Sequence, residues 1–323
     1  MMSTPGNLSE YQILVTGAAG FLGRRILRAM LKKDAYIVGL DLAPMPAGFE
    51  EQQCGNGALV HRVGDVNSIE DVSRVLKEVK SEGRSCSALF HLSGMTHVGQ
   101  CKTDPLMAFQ ANVTQTVQLL EVCRKNGLNR VIFPSTALAY GEDSEHLLKE
   151  QHPTCPQTIY ASTKLAAENV IQGYSGSFSF SCDIARLSNV YGADASHDTA
   201  VSTALRQARL GQAVRLRTFK PVRDFIYYED VVEGLIRLLL SGQEPGCRVF
   251  NLSTGQATSI EQMAKMVCEI AGIEDEPIDL SEGNARKDSR LVLANDELAK
   301  RTGWRPVYTL QMGLRAAWKE MIG

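Results

Sequence analysis

The sequence lacks the features that mark membrane, metal-binding and nucleic-acid-binding proteins. No apolar run is long enough to span a bilayer, and the first ten residues do not resemble a secretory signal. A formal net charge of −2 gives no electrostatic basis for binding nucleic acid or an acidic membrane. The eight cysteines form no CxxC motif, and the six histidines show no metal-ligand spacing. We therefore predict a cytoplasmic protein with free thiols, no metal, and no nucleic-acid or membrane partner.

The first half of the chain alternates short apolar runs with helical patterns. Five runs are interpreted as buried strands: 12–15, 36–40, 58–63, 88–92 and 130–133. Because strands that alternate with helices form parallel sheets covered on both faces, we predict an α/β fold with a doubly wound parallel Rossmann sheet. Ligands bind such sheets beyond the carboxyl ends of the strands.

Three glycines, Gly17, Gly20 and Gly23, lie between the first predicted strand and the helix after it. Glycines at this spacing allow a tight turn and close approach of the backbone to a pyrophosphate, which the N–H groups of the helix N-terminus would bind. Asp41 ends the second predicted strand. A carboxylate there accepts hydrogen bonds from ribose hydroxyls and repels a 2′-phosphate. The pattern predicts NAD in preference to NADP.

Tyr160 and Lys164 are candidates for proton transfer. Four residues apart on a helix, they share one face. An ammonium group beside a phenol favours the phenolate and lowers the pKa of the tyrosine. For an isolated pair, a surface tyrosine and a solvated lysine is the better interpretation, but the predicted cofactor site favours a catalytic role.

The order of the motifs along nearly the whole chain resembles the extended short-chain dehydrogenase/reductase family, in its sugar-nucleotide epimerase and dehydratase branch. The matching segments are 16–23, 64–66, 91–94, 135–141, 160–164, 186–192, 223–230 and 250–255. This resemblance implies a substrate that is a nucleotide sugar. It also implies a smaller C-terminal α/β lobe that binds the substrate.

The resemblance implies a role for each matching residue. Tyr160 corresponds to the catalytic acid/base, Lys164 to the residue that holds the nicotinamide ribose, and Thr136 to the hydroxyl that hydrogen-bonds the reacting sugar oxygen. The implied cofactor contacts are Gly17, Gly20, Phe21, Leu22, Gly23, Asp41, Asp65, Val66, Leu92, Ser93, Gly94, Asn112, Tyr160 and Lys164. The implied substrate contacts are Ser135, Thr136, Asn189, Arg223, Arg286 and Asp288.

The two residues after Thr136 depart from the family pattern and narrow the set of possible reactions. Related dehydratases resemble one another in an Asp-Glu pair after the catalytic hydroxyl residue, where this chain has Ala137 and Leu138. Loss of water needs a second acid and base, and alanine and leucine supply neither. Related decarboxylases carry Glu at the position of Leu138, so decarboxylation also loses support. The chemistry that remains is 4-epimerisation or reduction of a keto-sugar.

The segment before Arg223 departs from the family as well. Many members have a glycine-rich turn there, whereas residues 216–222 read LRTFKPV and contain Arg217 and Lys220. The change leaves open a different nucleotide, or a substrate without one.

We predict an NAD-binding domain over 1–187 and a substrate-binding lobe over 188–323, with about 227–254 packing back on the first domain. By resemblance, a homodimer forms through helices near 105–125 and 158–172. The leading hypothesis is an NAD-dependent epimerase of a nucleotide-activated sugar, through transient oxidation at C4. The alternative is an NAD(P)-dependent ketoreductase or dehydrogenase of a keto-sugar. A third hypothesis is a non-catalytic NAD-binding sensor or scaffold, which the intact Thr136, Tyr160 and Lys164 disfavour.

Overall fold

The structure is a computed structural model that describes residues 8–47, 49, 57–142, 146–195, 199–242, 244–281 and 289–323. The chain divides into two compact units. Unit 1 consists of Met1–Ala139, Pro156–Arg186 and Val232–Phe250. Unit 2 consists of Tyr140–Cys155, Leu187–Val231 and Asn251–Gly323.

The first half of the chain alternates strands with helices. In chain order the elements are β1 (Gln12–Thr16), α1 (Phe21–Leu31), β2 (Tyr36–Asp41), β3 (Ala58–Val63), α2 (Ile69–Ser81), β4 (Ala88–His91), α3 (Val98–Thr103), α4 (Pro105–Phe109), α5 (Gln115–Lys125), β5 (Arg130–Thr136), α6 (Ile159–Phe178) and β6 (Ser181–Leu187). A π-helical turn, Gln110–Thr114, joins α4 to α5, and a 3₁₀ turn, Ala137–Tyr140, follows β5.

The second half contains shorter strands and four longer helices. Its elements are β7 (Asn189–Tyr191), α7 (Ala200–Arg209), β8 (Arg215–Leu216), β9 (Val222–Arg223), β10 (Phe225–Tyr227), α8 (Tyr228–Leu240), β11 (Gly246–Leu252), β12 (Thr258–Ser259), α9 (Ile260–Ala271), β13 (Ile278–Asp279), β14 (Arg290–Leu291), α10 (Asp296–Thr302) and α11 (Leu310–Ile322).

A seven-stranded sheet forms the centre of unit 1, in the order β11-β6-β5-β4-β1-β2-β3. The pairings from β3 through β5 are all parallel. All five strands predicted from the sequence are present, and the predicted doubly wound parallel sheet is confirmed. The order changes direction between β1 and β4, and the carboxyl ends of the strands around that point are where a doubly wound sheet binds its ligand.

Helix α2 illustrates how the sequence builds the core of unit 1. Four of its apolar residues recur at helical spacing and are buried, Val72, Val75, Leu76 and Val79, whereas Ile69 at the start of the helix is exposed. They belong to the same apolar cluster as Leu14, Val38 and Leu40 of the sheet. Burial of each such side chain contributes about 1.5–3 kcal/mol, so the stripe holds the helix on the sheet.

Unit 2 has its own apolar core, formed mainly by α7, α9 and α11 with β7, β8 and β10. Helix α9 begins with a capping box. The Ser259 hydroxyl accepts a hydrogen bond from the Gln262 amide at 3.1 Å, and the Gln262 side chain accepts one from the Ser259 amide at 2.9 Å. Three small sheets complete this unit: β10-β7, β12-β9-β14 and β13-β8.

Across the helices that the structure describes, none is long and apolar enough to cross a bilayer. The same described residues contain no group of three or more His, Cys, Asp or Glu side chains arranged to hold a metal ion.

Candidate active site

The turn between β1 and α1 is closely packed against its neighbours. Gly17 adopts φ +70°, and a Cβ atom there would lie 2.7 Å from the Ser93 amide nitrogen. A Cβ atom on Gly23 would lie 2.1 Å from the Gly17 carbonyl oxygen. Gly20, the N-cap residue of α1, has no side chain to cap the helix. The turn therefore leaves the first amide groups of α1 without a side-chain cap, an arrangement that suits a phosphate group.

Asp41 lies beside this turn, at the end of β2. One carboxylate oxygen accepts a hydrogen bond from the Ala19 amide at 3.0 Å, and the other accepts one from the Ala43 amide at 3.0 Å. These contacts hold the carboxylate against the glycine turn. Each oxygen keeps a lone pair for a further donor.

The remaining predicted cofactor contacts follow β3 and β4. Asp65 accepts hydrogen bonds from the backbone and side-chain nitrogens of Asn67 at 2.8 and 3.0 Å, and Val66 is buried. After β4 come Leu92, Ser93 and Gly94. Unit 1 thus presents all the predicted cofactor contacts except Asn112, Tyr160 and Lys164 at the carboxyl ends of β1 to β4.

Asn112 lies in the π-helical turn between α4 and α5 and is buried. Its amide nitrogen donates to the Met95 carbonyl and to the Thr163 hydroxyl, both at 2.9 Å. Its side-chain oxygen accepts a hydrogen bond from the Met95 amide at 2.8 Å. Thr163 in turn donates to the Tyr160 carbonyl at 2.9 Å. The sequence predicts one long helix here, whereas the π turn interrupts it where Asn112 joins the loop after β4 to α6.

His91 connects β1, β4 and α5 through buried hydrogen bonds. The Thr116 hydroxyl donates to the Asn112 carbonyl at 2.7 Å, so it accepts from Nε2 of His91 at 3.0 Å. Nδ1 of His91 therefore accepts from the Thr16 hydroxyl at 2.9 Å. Burial lowers the pKa of His91 to about 3, and the positive charge of Lys164 acts in the same direction. The imidazole is neutral at physiological pH.

Helix α6 carries Tyr160 and Lys164, and its first turn is capped by the Thr158 hydroxyl, which accepts from the Ala161 amide at 3.1 Å. The side chain of Thr136, the last residue of β5, lies close enough to the phenol of Tyr160 to act on its pKa. Nζ of Lys164 lies 3.8 Å from the centroid of the Phe133 ring, also on β5. The structure thus brings all three predicted catalytic side chains to the contact between β5 and α6.

Burial controls the charge of both catalytic side chains. It raises the pKa of Tyr160 to about 12, although the nearby Thr136 side chain acts in the opposite direction. It lowers the pKa of Lys164 to about 7, although the carboxylate of Glu168 opposes this change. The sequence predicts that Lys164 lowers the pKa of Tyr160. That prediction is wrong for the structure, because loss of solvent around the phenol outweighs every other effect.

Thr136 and the preceding Ser135 form hydrogen bonds with different partners. The Thr136 hydroxyl accepts a hydrogen bond from the Leu138 amide at 3.2 Å, which leaves its proton for another acceptor. Ser135, predicted to contact substrate, is buried and donates its proton to Glu168. Ala137 and Leu138 start the 3₁₀ turn and bring no ionisable group to the site.

Two residues of unit 1 for which the sequence predicts no functional role lie next to the site: Glu168 and Arg186. Nη2 of Arg186 donates to the Glu168 carboxylate at 2.7 Å, and both side chains are buried. The available signal was the spacing, since Glu168 follows Lys164 by one further helical turn on the same face.

Two predicted substrate contacts lie in unit 2, Asn189 on β7 and Arg223 on β9, which belong to different small sheets. The Asn189 side chain donates to the Asp224 carbonyl at 3.1 Å. The guanidinium of Arg223 forms an ion pair with Glu142 at 3.0 Å and donates to the carbonyl and hydroxyl of Ser289, both at 3.0 Å. Glu142 was not predicted. The internal carboxylate occupies one edge of the charged fork that was expected to bind a diphosphate.

Arg286 and Asp288 lie outside the described residues, and their predicted contact with the nucleotide stays a prediction.

Comparison with known proteins identifies the family of this chain. The model of the NAD dependent epimerase/dehydratase family matches residues 13–253. The chain belongs to this family. The matched segment contains the glycine turn, Asp41, Thr136, Tyr160 and Lys164.

Relatives in the family align over nearly the full chain. The UDP-glucose 4-epimerase of Corynebacterium glutamicum is 28% identical, over 95% of this chain and 94% of the relative. The UDP-glucose 4-epimerase of Azospirillum brasilense is 27% identical, over 91% and 87%.

Solved structures from the family have the same fold. The UDP-glucose 4-epimerase of Thermus thermophilus in complex with NAD superposes with a TM-score of 0.83 and 27% identity, covering 97% of this chain and 99% of its own. MoeE5 in complex with UDP-glucose and NAD gives a TM-score of 0.83 and 27% identity, covering 95% and 97%.

The buried, neutral His91 predicts a loss of stability in acid. Its folded pKa lies below its ordinary value of about 6.5, so the unfolded chain binds the proton first, and stability falls as the pH falls toward 3. Between pH 7 and pH 5 the loss from this group is about 2 kcal/mol. Urea unfolding at both pH values should show a weaker pH dependence for His91→Gln than for the wild type. Equal pH dependence in the wild type and His91→Gln would contradict the assignment.

Proposed function

We propose that the protein is an NAD-dependent epimerase that inverts C4 of a nucleotide-activated sugar. One observation carries the proposal: the side chain of Thr136 lies beside the phenol of Tyr160, and the next two positions, Ala137 and Leu138, provide no second acid or base. Epimerisation by transient oxidation needs only one group to remove and return a proton, together with a hydride acceptor. Relatives named as UDP-glucose 4-epimerases, and the complexes of structural neighbours with UDP-glucose and NAD, support the same reaction.

The residues of unit 1 fit NAD. The uncapped N-terminus of α1 and the glycine turn, where added Cβ atoms would clash with backbone, suit the pyrophosphate. Asp41 suits the adenosine ribose, and its charge disfavours a 2′-phosphate. The chemistry that NAD supplies when bound is reversible hydride transfer at the sugar carbon, together with the positive charge of the oxidised nicotinamide.

Tyr160 acts as the base that takes the proton from the C4 hydroxyl and as the acid that returns it. Its raised pKa means that a nearby positive charge is required before the phenolate forms at neutral pH. Lys164, when protonated, and the oxidised nicotinamide are the two sources of such charge. Thr136 holds the same sugar oxygen, because its own oxygen accepts from the Leu138 amide and its proton remains available.

We assign Arg223 and Asn189 to the diphosphate of the nucleotide sugar. Asn189 is on β7 and Arg223 is on β9 of unit 2, and a guanidinium binds phosphate oxygens through parallel hydrogen bonds. Glu142 competes for the same donors, since its carboxylate is 3.0 Å from the guanidinium. The diphosphate must therefore displace this carboxylate.

Purified protein should interconvert UDP-glucose and its C4 epimer without accumulating free NADH, measured by NMR of the sugar and absorbance at the nicotinamide band. Tyr160→Phe should lower turnover by about 100-fold or more, because the proton-transfer group is lost. Tyr174→Phe is a matched control on the same helix, distant in sequence from the predicted site, and should retain activity. Steady production of NADH would identify a dehydrogenase or ketoreductase in place of an epimerase, and full activity of Tyr160→Phe would contradict both.

Removal of the competing carboxylate should tighten nucleotide binding. We expect Glu142→Gln to lower the dissociation constant of UDP by about fivefold, because a partly buried ion pair contributes about 1 kcal/mol. Arg223→Gln should weaken binding, and Glu261→Gln, which removes the same charge from the surface of α9, should change nothing. The measurement is calorimetric titration with UDP at low salt. An unchanged affinity in Glu142→Gln would show that Arg223 does not bind the diphosphate.

We also propose a cytoplasmic homodimer. Free thiols at Cys86, Cys101, Cys123, Cys155, Cys182, Cys247 and Cys268 suit a reducing compartment. Large apolar side chains are exposed on α4 and at the start of α6: Leu106, Met107, Phe109 and Ile159. Exposed apolar residues that cluster on adjoining elements favour a protein interface.

Light scattering should report a mass twice that of the chain. Replacing Leu106 and Phe109 together with Glu should produce monomers, because four charged side chains would be buried in a two-fold interface. The exposed Leu210 in unit 2 provides the control, since Leu210→Glu should leave the dimer intact. A monomeric wild type would contradict the proposal.

A further inference from the structure

Glu168 lies one helical turn beyond Lys164 on α6 and is only 4% exposed. Its carboxylate accepts a hydrogen bond from the Ser135 hydroxyl. Nε of Arg186 lies 3.2 Å from both carboxylate oxygens, and Nη2 lies 2.7 Å from one of them. The carboxylate therefore joins three elements: α6, β5 and β6.

The contacts of Glu168 lie next to the proposed catalytic residues. Ser135 directly precedes Thr136 on β5, and Phe133, which packs under Nζ of Lys164, is two residues earlier on the same face of that strand. On the helix, Tyr160, Lys164 and Glu168 are spaced by four residues and share one face. Three residues on one face of α6 thus lie against residues near the end of β5.

The ionisable groups around Lys164 come from three elements. Glu168 is on α6 itself, the neutral His91 is on β4, and Arg186, on β6, is paired with Glu168. The negative charge of Glu168 favours the ammonium form of Lys164, whereas burial disfavours it. Loss of the Glu168 charge would also leave the guanidinium of Arg186 without an ionised partner, which would disfavour the ammonium further.

We propose that Glu168 is a positioning residue for the epimerase reaction, which holds the end of β5 against α6 so that Thr136 meets Tyr160 and supplies the negative charge that keeps Lys164 protonated. Only the expected effect of Glu168 on turnover rests on the proposed function. The effect on Lys164 belongs to the folded protein and can be measured without turnover.

Two variants separate the charge of Glu168 from its hydrogen bond. Glu168→Gln keeps the size of the side chain and removes the charge, whereas Ser135→Ala removes one hydrogen-bond donor and keeps the charge. The matched control is Asp183→Asn, which breaks another buried ion pair, between β5 and β6: Nη2 of Arg130 is 2.5 Å from the Asp183 carboxylate. Arg130 is at the opposite end of β5 from Ser135, about 17 Å away at 3.3 Å per residue.

The first measurement is the titration of Lys164 by NMR of protein labelled at lysine Cε, with the signal assigned through Lys164→Arg. We expect a wild-type midpoint near pH 7. Glu168→Gln should move it down by about one pH unit, because it removes the negative charge one helical turn away that favours the ammonium form. Ser135→Ala and Asp183→Asn should leave it within a few tenths of a unit. An unchanged midpoint in folded Glu168→Gln, or an equal change in Asp183→Asn, overturns the charge role.

The second measurement is the pH profile of turnover. In Glu168→Gln, kcat should fall about tenfold at pH 8 with KM for UDP-glucose unchanged, and the fall in activity on the alkaline side should start at lower pH. Ser135→Ala should lower kcat several-fold without moving the profile, and thermal unfolding checks that it is folded. Wild-type kcat in Ser135→Ala overturns the positioning role even if Glu168→Gln does not fold. An inactive wild type with the expected Lys164 titration would refute the proposed epimerase activity and leave the charge role supported.

Discussion

The contact between the end of β5 and the first three turns of α6 is the constraint on which the candidate active site depends. Three pairs form along it: Thr136 with Tyr160, Phe133 with Lys164, and Ser135 with Glu168. Each pair holds a polar or charged group in a place with little solvent. Such groups are costly to bury unless their partners are in place, so the fold and the site stabilise the same arrangement.

Other buried hydrogen bonds keep this contact in position. Asn112 links the loop after β4 to Thr163 on the same helix, and His91 links β1 and β4 to α5. On the other side, Arg186 extends the network to β6 through Glu168. Helix α6 is therefore oriented from both sides by side chains that have few spare donors or acceptors. A rigid frame of this kind suits a reaction in which a proton and a hydride must be transferred at fixed positions.

Local signals in the sequence were enough to predict the central sheet. Strand residues form continuous apolar runs, and the glycine turn and Asp41 follow strands at set distances, so their common location follows from the topology of a parallel sheet. Tyr160 and Lys164 followed from their helical spacing together with the predicted cofactor site, whereas the role of Thr136 depended on a family resemblance. The pKa of Tyr160 was predicted in the wrong direction because the effect of burial depends on neighbours from the whole unit.

The partners that the sequence did not predict are far apart along the chain or in irregular turns. Glu142 is 81 residues from Arg223, and no periodicity connects a residue after a 3₁₀ turn with one on a two-residue strand. Likewise, no propensity rule predicts where a regular helix will take in an extra residue. Such pairings arise only when the fold brings the elements together.

The π-helical turn at Gln110–Thr114 has a consequence for the surface as well as for the interior. In a regular α-helix each residue advances the direction of the side chain by about 100°. One additional residue within a turn therefore rotates everything before it by about that angle relative to everything after it. Leu106 and Phe109 can thus point outward while α5 keeps its apolar side toward the sheet. The inserted residue therefore determines the angle between the exposed apolar side chains of α4 and the buried side-chain amide of Asn112, which is hydrogen-bonded to α6.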